Sequence, residues 1–146
     1  MNLEEVRAYF AADRFAAEVC GITIEEVSPG EAFCRMEIAD LHKNALGGVQ
    51  GGAIFTLADF AFAVASNQNE APTVSLSNHI TYLRGSGGTV LFARARQVSS
   101  GRRIAAYQAT VTDDLEQIIA VMSVTGYIRN KEPQSPRASE GLKRHA

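Results

Sequence analysis

One carboxylate stands inside the most apolar run of this 146-residue chain, GGAIFTLADFAFAVAS, which starts at Gly51 and carries Asp59 in its middle. Burying an unpaired carboxylate is costly or forces protonation, and Asp is a poor residue for a helix interior. The plain alternative is a structural Asp59, bonded to a neighbour such as Thr56. The chemical alternative makes it a nucleophile or a general base.

On a helix, at about 100° per residue, Gly52, Thr56, Asp59 and Ala63 fall on one stripe. The glycines would open that helix, where free amides and the dipole favour developing negative charge. Lacking a side chain, they also let a ligand approach the backbone. Amides that polarise a carbonyl oxygen, with a carboxylate that attacks or activates a water, suit carbonyl chemistry. Gly52 and Asp59 would lie about 10 Å apart along the axis, too far for one carbonyl to touch both. If they share a task, the carboxylate comes from a second chain packed antiparallel, which implies a dimer with two interface sites.

Other chemistry finds little support. His42, His79 and His145 are scattered, with no HExxH or cysteine partners, so no metal site is expected. No GxSxG serine elbow is present. The GSGG run at 85–88 reads as a hairpin turn rather than a phosphate cradle, because no helix or GK[ST] follows it. Cys20 and Cys34 fit no CxxC pattern and suggest a reduced, cytoplasmic setting.

The elements that must hold Asp59 follow from pattern. Leu3, Val6, Phe10 and Ala17 predict one short amphipathic helix over 3–19. Strands are expected at Ile22–Ser28 and Glu31–Ile38, around a Pro29-Gly30 turn. After the Gly-rich LHKNALGGVQGG loop, the apolar run is helical by length and by its Ala and Leu content. Four strand-length runs close the chain at Thr73–Leu83, Thr89–Ser99, Arg102–Thr112 and Gln117–Arg129. Their short separators suggest an antiparallel meander. A helix apolar nearly all round must be covered, and the six strands can do so by curling around it. Ala93, Ala95, Ala105 and Ala109 would give it room. The fold class is α+β, a curved antiparallel sheet wrapped around a long central helix, in one domain over 1–129.

Composition agrees. Apolar residues make up 46%, charged residues 21%, and the net charge is −2. No strong field invites nucleic acid or an anionic membrane. Asp59 splits the longest uncharged run below spanning length. Residues 130–146 hold four Lys/Arg against two Glu and little to bury, so a disordered tail is expected.

NALGGVQGGAIFTLADFAFAVASN resembles the hotdog-fold acyl-CoA thioesterases of the phenylacetate-degradation type, at Asn44, Gly47, Gly51, Gly52, Phe55, Leu57, Ala58 and Asp59. TVSLSNHITYLRG resembles the first long strand of that family, and the likeness covers residues 20–129. The resemblance implies hydrolysis of an acyl- or aryl-CoA to free acid and coenzyme A, without a cofactor. Asp59 would be nucleophile or general base. The amide of Gly51, with Gly52, would polarise the carbonyl bound to the other protomer, Asn44 would shape the pocket, and Ser75 would help position water. The family's histidine before the glycine pair is Gln50 here, which can orient a substrate but carries no proton charge. Thr56 lies on the substrate stripe. Arg102 and Arg103 are candidate contacts for the coenzyme A phosphates. Assembly as a dimer, or a dimer of dimers making a homotetramer, is expected. Hydration or dehydration of an acyl thioester is a rival with no histidine on the helix to serve it. A non-catalytic acyl-CoA sensor or storage module is the other rival.

Overall fold

The computed structural model describes residues 1–68 and 71–130. The expected tail therefore lies outside the described residues, apart from Asn130. Helix α1 (Leu3–Phe10) begins at Asn2, which closes a reciprocal cap with Glu5: Asn2 Oδ1 accepts the Glu5 N–H, and Glu5 Oε2 accepts the Asn2 N–H, both at 2.9 Å. The helix does not run on to residue 19 as expected. Asp13 Oδ1 accepts the Ala16 N–H at 3.1 Å, starting a separate π-helical turn at Phe15–Val19. A side chain that caps a new turn competes with continuing the old one.

Strands β1 (Ile22–Ser28) and β2 (Glu31–Glu37) form a hairpin around Gly30, whose φ of 73° suits glycine. Helix α2 (Gly51–Ser66) follows, and then β3 (Thr73–Tyr82), β4 (Val90–Ser100), β5 (Ile104–Asp113) and β6 (Ile118–Ile128). All six strands join one antiparallel sheet in the order β1-β2-β4-β5-β6-β3.

That order corrects the meander. β3 pairs with β6, not β4, and the GSGG run is a crossover rather than a hairpin turn. The connection passes across the sheet end and is fastened as it goes. The Leu83 N–H bonds Ile119 O at 2.8 Å, and the Ser86 hydroxyl donates to Asp113 Oδ2 at 2.7 Å. Asp114 then accepts both the Thr89 amide and the Thr89 hydroxyl. The crossover leaves β4 free to pair with β2 in continuous register, from Glu31↔Arg96 to Glu37↔Val90.

The sheet curls around α2, whose Ile54, Leu57, Ala58, Phe60, Ala61, Phe62, Val64 and Ala65 are buried. The four alanines expected to face the helix are buried as well, Ala95 and Ala109 as register partners. Small side chains there let helix and sheet approach closely. Phe60 meets Phe10 edge-on at 5.8 Å and Phe62 meets Tyr107 at 5.2 Å, so both pack into the core. No helix among the described residues is long and apolar enough to cross a membrane.

Candidate active site

The site is organised by how α2 starts. The loop before it is held by Asn44, whose Oδ1 accepts the Leu46 N–H at 3.0 Å and the Gly48 N–H at 3.2 Å. Gly47, at φ 84°, makes the tight turn possible. His42 anchors this loop to the body of the protein. Its buried ring takes the Ala39 N–H on Nδ1 at 3.0 Å and meets Cys20 O through Nε2 at 2.8 Å. The Gln50 N–H returns to His42 O at 2.7 Å. His42, noted in the sequence only as a neighbour of the loop, is thus its anchor.

Gln50 is the N-cap of α2, and its Oε1 accepts the Ala53 N–H at 3.1 Å. Its carbonyl accepts Ala53 N–H at 2.9 Å and Ile54 N–H at 3.3 Å. Of the four amides at Gln50, Gly51, Gly52 and Ala53 that this helix start leaves without an i−4 partner, Gln50 is therefore engaged by His42 and Ala53 by the cap. The N–H groups of Gly51 and Gly52 make no hydrogen bond among the described residues. They lie at the positive end of the helix dipole, where negative charge is favoured.

Asp59 is half-buried, two turns further along. Its carboxylate makes no hydrogen bond or ion pair among the described residues. The bond to Thr56 raised by the plain reading is absent, because the Thr56 hydroxyl donates to Gly52 O at 2.7 Å. Burial pushes the Asp59 pKa up, and the negative charge of Asp13 adds to the effect. A carboxylate raised in this way is a stronger base at the pH where it is still ionised. Asp13, in the break after α1, went unnoticed in the sequence because its reach to Asp59 depends on tertiary packing.

The remaining expected residues are dispersed. Ser75 is exposed on β3 beside a bulge that falls between Ser75 and Ser77. Arg102 is exposed, and Arg103 pairs with Asn130 through Nη1 and Oδ1. A cavity of about 980 Å³ opens near the far end of α2, lined by Leu3, Val27, Ala65, Gln68 and Tyr107 among others; neither Asp59 nor Gly51 lines it. Tyr82, which sequence reasoning passed over, closes on the start of α2 with its hydroxyl donating to Gly51 O at 2.9 Å.

Comparisons with known proteins identify the family of the chain. The family model described as Thioesterase superfamily matches residues 46–120. Acyl-coenzyme A thioesterase PaaI of Escherichia coli is 29% identical over 106 residues, 72% of this chain and 76% of the relative. Among solved structures, a mutant of the phenylacetic acid degradation protein PaaI from Thermus thermophilus is 34% identical. It covers 79% of this chain and 98% of its own, with a TM-score of 0.73. A Streptococcus mutans protein solved with acetyl CoA bound is 27% identical, covers 77% of this chain and 91% of its own, and gives a TM-score of 0.72.

Proposed function

The chain belongs to the thioesterase superfamily and is a thioester hydrolase, and from that premise we propose that it cleaves an acyl- or aryl-CoA with the Asp59 carboxylate as nucleophile or general base. The observation that carries this reading is the unpaired, half-buried Asp59 with its raised pKa on an otherwise apolar helix. A stability-driven sequence gains nothing from it.

In the general-base form, Asp59 takes a proton from water as the water oxygen attacks the thioester carbonyl. Negative charge moves to the carbonyl oxygen, which the Gly51 N–H receives, with Gly52 beside it. Collapse of the tetrahedral species breaks the C–S bond, and the thiolate regains the proton to leave as coenzyme A. In the nucleophilic form, the carboxylate adds to the carbonyl, and the C–S bond breaks to release the coenzyme A thiolate and leave a mixed anhydride on Asp59. Water then hydrolyses that anhydride to the free acid, restoring the carboxylate and supplying the proton the thiolate takes. Gln50 holds the glycine pair in register as the cap. Asn44 holds the loop above it, Ser75 orients water, Thr56 borders the substrate, and Arg102, with Arg103 at its side, faces the coenzyme A phosphates.

The axial gap between Gly51 and Asp59 calls for a second chain, so each site combines the amides of one protomer with the carboxylate of its partner. β3 supports this assembly. It is a sheet edge with Val74 and Leu76 exposed, and unpaired edges invite a matching strand. Two β3 edges paired about a two-fold axis would give two equivalent sites, and such dimers can pair again into tetramers. The unbridged Cys20 and Cys34 fit a cytoplasmic enzyme. The Streptococcus mutans neighbour was solved with acetyl CoA, which supports a coenzyme A thioester as the substrate. The test is free-thiol release from short, long and aromatic acyl-CoAs, run beside Asp59→Asn. Turnover that survives the substitution would sink the carboxylate mechanism.

A further inference from the structure

We propose that Tyr82 is a positioning residue for the oxyanion amides, an inference that rests on the thioesterase reading above. Gly51 is the first residue of α2, held by its carbonyl in the helix ladder but not by its N–H. Its N–H is free, and glycine resists no rotation about its backbone bonds. Helix ends fray for the same reason. Tyr82 adds a second restraint on that carbonyl, from a different element. Its hydroxyl donates to Gly51 O at 2.9 Å, fixing the peptide plane that also carries the Gly52 N–H.

Its ring covers the hinge between that plane and the preceding one. A Cβ built on Gly51 would meet Tyr82 Cζ at 3.3 Å, Oη at 3.4 Å and Cε1 at 3.5 Å. Glycine at 51 therefore makes room for the tyrosine as well as for a ligand. A hydrogen bond to a carbonyl also polarises the peptide it belongs to, strengthening the N–H on its far side.

The register of β3 places Tyr82 on the concave face, opposite buried Ala120. The far end of the same strand is tied to the far end of the helix: Asn67 Nδ2 donates to Thr73 O at 3.1 Å, and Asn67 Oδ1 accepts the Thr73 N–H at 2.7 Å. β3 is thus a splint along α2, fastened at both ends, and Tyr82 is the fastening at the catalytic end. Tyr82 remains 48% exposed, so the contact is not a demand of core packing.

Tyr82→Phe keeps the ring and removes the hydroxyl. The expected result is a kcat lowered about three- to tenfold, with KM within about twofold and a melting temperature lowered by no more than about a few degrees, the cost of one exposed neutral hydrogen bond. In ¹H–¹⁵N spectra of the full-length protein without substrate, the Gly52 amide proton should move upfield. Gly51→Ala should displace the ring, so the double variant should lose less activity than the product of the single losses. Wild-type turnover in Tyr82→Phe, a rise in KM alone, or an unmoved Gly52 resonance would each overturn the proposal. Wild-type protein that releases no thiol would instead overturn the thioesterase reading, and the amide shift would still decide the Tyr82 contact.

Discussion

The side-chain oxygen of Gln50 occupies the space that a side chain on Gly52 would need: a Cβ there would lie 2.6 Å from Oε1. The same oxygen caps Ala53, so cap and glycine are one device. Gly52→Ala should push Gln50 off the helix and cost about 1 kcal/mol, the usual worth of a cap. In a Gln50→Ala background the clash is gone, and the same change should be neutral or stabilising, since alanine outranks glycine in helices. Thermal melts of the four proteins check this, and simple additivity would disprove the coupling.

Asp59→Asn should lower kcat by about 10²–10⁴-fold, the range of a general base. The wild-type rate should climb with pH through an acid limb that lies above the ordinary Asp value of about 3.9, because burial and Asp13 raise that pKa. The variant should lack the limb. Stability should run the other way. A raised carboxyl favours folding while protonated, and that advantage fades as pH rises through the folded value. Asp59→Asn should therefore melt higher than wild type near pH 8 and about the same near pH 3. A variant less stable at pH 8 would point to a structural role.

Asp113 works with the opposite sign. Burial pushes its carboxyl up, but the Ser86 hydroxyl and the Gln117 and Leu115 amides outweigh this and hold it below the usual range. Thr89 lowers Asp114 in the same way. Their contribution to stability is full above the unfolded value of about 3.9 and is lost as pH falls through the folded values. Asp113→Asn should melt lower than wild type at neutral pH and show a flatter decline below about pH 4. Parallel melting curves for the two proteins would show that the clasp on the crossover does not titrate.

Ala95→Leu should destabilise by about 1–3 kcal/mol through overpacking. Ala95 and Ala109 are fully buried register partners, and protein interiors are close-packed. Denaturant unfolding would read the loss, and a change below about 0.5 kcal/mol would mean that the helix can back away.

Local pattern made much of this legible. The strand spans, the long helix and the wrapping sheet all follow from periodicity and from alanines on alternate positions. So did the oddity of Asp59. Pairing between strands did not follow, because a seven-residue link such as 83–89 reads like a turn until Asp113 and Asp114 are seen to fasten it across the sheet end. The break at Asp13 was hidden because helical spacing continued through it. Tyr82 escaped notice because its meeting with Gly51 depends on the register of β3 against β6 and on where α2 lies.

The crossover also sets an order of assembly. β4, β5 and β6 can zip as consecutive hairpins, but the β2–β4 seam brings Met36 to Leu91 with all of α2 and β3 between them. Closing so long a loop carries an entropy cost that local pairing does not. The seam should form last, sealing the helix inside, and be the first line to part. Amide hydrogens along Cys34–Met36 should then exchange faster than those along Ala109–Val111, although both segments have a paired strand on each side.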